Sequence, residues 1–133
     1  MDSYLDVLLC ITYYAATITL TSSADGGQAV CPGEVVTYTC TALRTSSVGW
    51  VALPDIDGLV YFPSSPIGQV QVIGNFQALL TNRILDPDIA GLADLTTTLT
   101  VTATPEQNGT VVQCRGDEPS ERMSLTLHIA SEF

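Results

Sequence analysis

Apolar and polar residues alternate one for one in run after run beyond Thr17, and this period limits the fold more than any other feature of the chain. Between Leu95 and Thr104, Leu99, Val101 and Ala103 fall on one side while Thr98, Thr100, Thr102 and Thr104 fall on the other. Successive residues of a strand point to opposite faces, so this spacing predicts half-buried strands. A helix would instead repeat its apolar positions three and four apart. Ile18 and Leu20 alternate with Thr17, Thr19 and Thr21 in the same way, and Val36, Tyr38, Cys40 and Ala42 alternate with Thr37, Thr39 and Thr41. Val48, Trp50 and Ala52 share one side of a third run.

The middle of the chain is less regular. Leu59 to Phe62, Gln69 to Ile73 and Phe76 to Leu80 read as short strands, punctuated by Pro63, Pro66 and Asp86-Pro87-Asp88. Further on, Val112 and Cys114 point inward, followed by Leu125, Leu127 and Ile129, with Thr126 and His128 outward. Turn residues at Pro32-Gly33, Ser46-Ser47 and Pro105 to Gly109 separate the runs. Strands about every eight to twelve residues, without an amphipathic helix, predict an all-β fold of antiparallel strands, a sandwich or a barrel.

A chain of 133 residues with 46% apolar content can form one domain with a substantial core. Its formal net charge is −10, and its basic residues are Arg44, Arg83, Arg115 and Arg122, with no lysine. Such a surface repels phosphate backbones and anionic lipid, which argues against nucleic-acid binding and membrane-surface attachment. The acidity could attract a basic partner or cations, but commonly reflects only a solvated surface.

Residues 1–16 have another character. Leu5 and Val7 to Ile11 form a short apolar run that ends in Ala15-Ala16, as in a secretory signal peptide. Asp2 and Asp6 stand where positive charge is usual, and Tyr14 where a small residue is usual, so a disordered leader or a fragment end is the competing reading. The run is too short for a membrane span, which needs about 20 apolar residues. The domain itself is expected over residues 17–130. Cys10, Cys31, Cys40 and Cys114 form no CxxC pair, and His128 is the one histidine, so disulfides in an oxidising compartment are favoured over a zinc site.

Val36-Thr37-Tyr38-Thr39-Cys40, Trp50 ten residues later, and the stretch from Thr98-Leu99-Thr100-Val101 through Asn108-Gly109-Thr110 to Cys114 together resemble an immunoglobulin superfamily domain. The resemblance covers roughly Thr17 to Ala130 and implies a two-sheet antiparallel immunoglobulin-like β-sandwich. It also implies a Cys40–Cys114 disulfide between the sheets, with Trp50 packed on it. Val36, Tyr38, Leu99, Val101 and Val112 would fill the same core. The long interval from Trp50 to Leu95 favours a variable-like or intermediate layout. Two positions depart from the family pattern: Val112 stands where a corner tyrosine is common, and Asn108 where an acidic residue is common. Once Cys40 and Cys114 pair, Cys31 is left free or bonded elsewhere, or pairs with Cys10 if the leader is retained.

Several other residues are candidates for function. Asn108-Gly109-Thr110 is an N-glycosylation sequon in an expected surface turn, and Asn-Gly is equally a turn former. Arg115-Gly116-Asp117 spells an integrin-binding tripeptide. It begins directly after Cys114, so Arg115 and Gly116 are expected to stay in the strand, and chance occurrence is the favoured reading. Asp55, Asp57, Asp86, Asp88 and Asp94 match no defined calcium loop, and His128 has no triad partners, so neither a metal site nor a catalytic site is expected. Tyr61, Phe62 and Phe76 are the candidates for an exposed binding face, with core filling as the alternative. The family resemblance implies an extracellular, cofactor-free, non-enzymatic module for recognition or adhesion. It would bind another protein, like-to-like binding included, through a sheet face or loop end. A structural spacer within a larger surface protein, or a sandwich that binds sugar or Ca²⁺, are the alternatives.

Overall fold

The computed structural model describes residues 17–24, 28–118 and 120–130. The expected leader, residues 1–16, lies outside the described residues, and Cys10 with it. Nine strands are found among the described residues: β1 (Thr17–Ser22), β2 (Val35–Thr45), β3 (Val48–Leu53), β4 (Ile56–Tyr61), β5 (Gln71–Ile73), β6 (Phe76–Leu85), β7 (Ala93–Thr102), β8 (Val111–Arg115) and β9 (Arg122–Thr126). They form a five-stranded sheet in the order β1-β2-β7-β6-β5 and a four-stranded sheet in the order β4-β3-β8-β9. Every neighbouring pair is antiparallel. The fold is an all-β sandwich, and its two bridged sheets fit the immunoglobulin-like type.

The alternating positions supply the two inner faces. Val36, Tyr38, Cys40 and Ala42 of β2 and Leu95, Leu99 and Val101 of β7 are buried from one sheet, and Val48, Trp50, Ala52, Val112 and Cys114 from the other. Burial pushes the Tyr38 phenol up to a pKa of about 12, so it stays neutral at physiological pH.

Two cross-links join the sheets side by side. Cys40 of β2 is bonded to Cys114 of β8. Trp50, the register partner of Cys114, donates its indole N–H to Thr97 Oγ1 at 2.9 Å, and Thr97 is the register partner of Cys40. Thr97 in turn donates to the Leu79 carbonyl on β6 at 2.7 Å. Trp50, Thr97 and both cysteines are fully buried, so the polar atoms of this cluster are satisfied entirely by one another. The disulfide closes a sequence separation of 74, worth about 4 kcal/mol if its effect is to restrict the unfolded chain.

The structure differs from the sequence reading at strand ends. β6 continues to Leu85, past the polar Thr81-Asn82-Arg83 that breaks the alternation, because a register shift at Leu80/Asn82 keeps it paired with β7. β4 starts at Ile56 and ends before Phe62. β9 stops at Thr126, yet Leu127 and Ile129 remain buried: Leu127 N–H bonds to Thr110, and Ile129 bridges Val30 in parallel.

The corner before β8, which lacks a tyrosine, is held by amides. Gln107, at the end of a single 3₁₀ turn (Pro105–Gln107), is buried and exchanges two hydrogen bonds with Asn75 at 2.8 and 3.1 Å, and its Oε1 also accepts from Thr104 N–H. Asn108 Oδ1 accepts from Ile129 N–H at 2.8 Å. Residues 107–110 make a type II turn, with Asn108 at φ −59°, ψ 125° and Gly109 at φ 90°. A Cβ at Gly109 would meet no atom, but that positive φ would strain any other residue.

Replacing Thr97 with valine keeps the shape of the side chain and leaves the Trp50 indole N–H and the Leu79 carbonyl without their partner. Thr97→Val is expected to destabilise the fold by about 1–3 kcal/mol, read as a lower urea midpoint. Thr97→Ser should retain most of the stability. Equal midpoints for wild type and Thr97→Val would show that the bond contributes nothing.

Candidate functional site

The outer face of the four-stranded sheet is the candidate surface, and strand register decides which side chains stand on it. On β3, Val48, Trp50 and Ala52 point inward, so Gly49, Val51 and Leu53 point outward. Their partners place Val60 and Asp57 of β4 on one side and Arg115, Gln113 and Val111 of β8 on the other. Arg122, Ser124 and Thr126 of β9 complete the face.

Its centre is apolar and recessed. Gly49 has no side chain to fill its outward position, and a Cβ there would sit 3.0 Å from the Leu59 carbonyl oxygen. The result is a shallow hollow of about 150 Å³ bordered by Val51, Val60, Ser47 and Arg115. Val51 is buried although it points outward, whereas Leu53 is 53% exposed and Val60 43%.

One rim of the face is basic. Arg115 and Arg122 are directly opposed across β8 and β9, an arrangement of like charges that weakens a strand pair. The structure gives neither an ion pair among the described residues, where the salt bridge present joins Arg44 to Asp86 at 3.3 Å. The Arg115 guanidinium donates to Gln113 Oε1, and Gln113 Nε2 donates to Ser124 Oγ at 2.9 Å, so a polar chain crosses the sheet beside the apolar centre.

The β8–β9 hairpin is anchored by Asp117. Its Oδ2 accepts from Ser46 N–H at 3.0 Å and its Oδ1 from Ser47 Oγ at 2.7 Å, which ties the hairpin to the turn between β2 and β3. Burial pushes this carboxyl upward, but the hydrogen bonds from Ser46, Ser47 and Thr45 outweigh it and hold the pKa below the ordinary value. For Arg115-Gly116-Asp117, where chance occurrence is the favoured reading, this geometry corrects only the expectation that Gly116 stays in the strand. Arg115 ends β8, Gly116 lies just beyond the strand with its N–H on the Glu121 carbonyl, and both oxygens of Asp117 are engaged within the fold.

The other candidates lie elsewhere. Tyr61 and Phe76 are buried at 2% and 1%, opposite Val48 and Val101, and only Phe62 is exposed, at 50%. The three therefore do not make one exposed binding face: two fall on inward positions of their strands. Val36, Tyr38, Trp50, Leu99, Val101 and Val112 all lie in the core. Asn108 is exposed in its turn, while Thr110 of the same sequon is buried. Cys31 is exposed and has no disulfide partner among the described residues.

Among the acidic candidates, Asp86 accepts from Asp88 N–H and Ile89 N–H at 2.8 and 2.9 Å and faces Arg44. The two backbone bonds hold its carboxyl below the ordinary range, outweighing the opposing effect of burial, and Arg44 adds a lesser contribution in the same direction. Asp94 accepts from Arg44 N–H at 2.9 Å. Arg44 has a left-handed backbone (φ 54°) at the register shift where β2 leaves β7, so these two acids serve that distorted segment. Among the described residues, no group of three or more His, Cys, Asp or Glu is placed to hold a metal ion, and no helix is long and apolar enough to cross a membrane.

Sequence reasoning missed Gly49, Val51 and the opposed arginines as parts of one surface, and missed Thr97 in the core. Thr97 carried a signal: it is a polar residue at the inward parity of Leu95 and Leu99. The arginines carried none, because their opposition depends on the register of the hairpin. No family model matches the chain, and a search of curated proteins finds no match.

The depressed pKa of Asp117 predicts a pH effect. The unfolded carboxyl titrates near about 3.9, so the unfolded chain binds more protons between that value and the lower folded one. The stability contributed by the charge is present above about pH 4 and is lost as pH falls through the folded pKa. Urea midpoints of wild type should fall more steeply than those of Asp117→Asn between about pH 5 and pH 2. Parallel curves would mean that the charge of Asp117 does not hold the hairpin.

Proposed function

We propose that this chain is an extracellular recognition module of the immunoglobulin superfamily, of variable-like layout, that binds a protein partner through the outer face of its four-stranded sheet. The role is binding, not catalysis. The observation that carries it is the Arg115–Arg122 pair: two of the four Arg and Lys side chains of a molecule with charge −10, set opposite each other and making no ion pair among the described residues, beside an apolar hollow. An apolar centre with a polar, arginine-bearing rim is the usual anatomy of a protein interface. A partner suited to it presents a small apolar side chain for the hollow over Gly49 and a carboxylate for the arginines. The variable-like layout is supported by β4, which adds a fourth strand beside β3 in this sheet. Extracellular placement is supported by the Cys40–Cys114 disulfide, since such bonds persist in oxidising compartments.

Affinity capture from cell-surface extracts tests this reading. Wild-type protein should retain a partner that is lost, or weakened at least about tenfold, with Arg115→Glu plus Arg122→Glu and with Leu53→Lys, and released by salt. Unchanged capture by all these variants would remove the face from consideration and favour a spacer role.

We further propose that Asn108 carries an N-linked glycan in a eukaryotic secretory host. Its exposure at a turn supports the reading, although Oδ1 also serves Ile129. Glycosidase treatment should lower the mass of wild type and leave Asn108→Gln unchanged; no mass loss from wild type would end the proposal.

A further inference from the structure

The sandwich edge away from β1 differs in kind from the rest of the surface. No charged residue occurs between Asp57 and Arg83, in a chain whose net charge is −10. Within that stretch every residue from 66 to 75 is exposed, including Ile67 (49%), Val70 (50%), Val72 (63%) and Ile73 (36%). The same stretch forms β5, the last strand of the five-stranded sheet. β5 pairs with β6 on one side, and among the described residues no strand lies along its other side. Edge strands usually carry a lysine, another charge or a proline that deters pairing with another chain. β5, Gln71-Val72-Ile73, has none of these.

The loop leading into β5 is held in place. Arg83 Nη1 donates to the carbonyls of Pro63 and Ser65 at 2.8 and 2.9 Å, and Gly68 N–H bonds to Leu80 at 2.8 Å. The edge is thus a set backbone template with apolar side chains on display.

We propose that this edge is a self-association site, at which β5 of one copy pairs antiparallel with β5 of a second copy and joins the two five-stranded sheets into one. Two observations select a second copy as the occupant. An antiparallel strand pair is its own partner under a two-fold axis, so one surface supplies both halves of the contact. Two molecules of charge −10 repel each other, and the stretch between Asp57 and Arg83 lets backbones meet without placing like charges in contact. A two-fold contact closes on itself, so association stops at a dimer. β5 has only three residues, so the interface is small and the dimer weak and reversible. This contact is separate from the outer face of the four-stranded sheet, and neither proposal depends on the other.

Sedimentation equilibrium of the full chain, over a wide concentration range and at low and high salt, tests the proposal. A monomer–dimer equilibrium is expected that tightens as salt screens the net charge, whereas a contact through Arg115 and Arg122 would weaken. Val72→Lys should weaken dimerisation at least about tenfold, as should Val70→Lys, a second exposed position in the same stretch that keeps the test valid if either variant misfolds. Leu53→Lys, on the other face, should leave it unchanged. Wild type that stays monomeric throughout, oligomers that grow beyond a dimer, or a dimer abolished by Leu53→Lys but indifferent to both edge lysines would each overturn the proposal.

Discussion

The structure depends on a paired cross-link between its two sheets. Cys40 and Thr97 are neighbours on β2 and β7, Cys114 and Trp50 are neighbours on β8 and β3, and each residue of one pair is joined to one of the other, by a disulfide and by an indole–hydroxyl hydrogen bond. The bonds have different functions. The disulfide restricts the unfolded chain, while the Trp50–Thr97 bond fixes the lateral position of β3 over β7, because a buried indole N–H without an acceptor is costly. Thr97 passes the constraint on to β6 through the Leu79 carbonyl. The four central strands and β6 are therefore held in one register.

With the centre fixed, the periphery is positioned by short polar contacts rather than by more core. Asp117 ties the β8–β9 hairpin to the β2–β3 turn, Asp86 and Asp94 serve the irregular backbone at Arg44, and Gln107 with Asn75 holds the corner before β8. Each uses a carboxylate or amide to satisfy backbone groups that a loop leaves unpaired. Of the acidic residues that could suggest cation binding, Asp86 and Asp94 are already committed to this task. The outer face around Gly49 and the uncharged edge at β5 are surfaces where the fold makes no such demand.

Much of the sandwich was legible because a period of two is a local property. Val36, Tyr38, Leu99, Val101 and Val112 could be assigned to the core from neighbouring residues alone, since the side of a strand that repeats apolar groups must face away from water. The middle region was less legible for a physical reason. Tyr61 and Phe76 are aromatic residues in short, proline-flanked runs, and whether such a residue faces the core depends on its partner strand, here Val48 for Tyr61 and Val101 for Phe76. Phe62, one residue beyond Tyr61, has the opposite parity and the opposite fate. Thr97 was hidden by composition: a threonine among threonines reads as part of a solvated row until its inward neighbours are counted.

The sequence by itself determined the strand period, the inward parity of Cys40, Trp50 and Cys114, a turn at Asn108-Gly109, and the strong negative charge. All of these follow from residues adjacent in the chain or from their sum. The tertiary structure alone decided that Arg115 opposes Arg122, that Gly49 leaves a hollow between Val51 and Val60, that both oxygens of Asp117 turn inward to Ser46 and Ser47, and that the uncharged stretch from Gly58 to Asn82 ends as an open sheet edge. These are matters of register and strand order. They depend on pairings between segments tens of residues apart, and a one-residue shift in any of them would exchange the faces and place a different set of side chains on the surface.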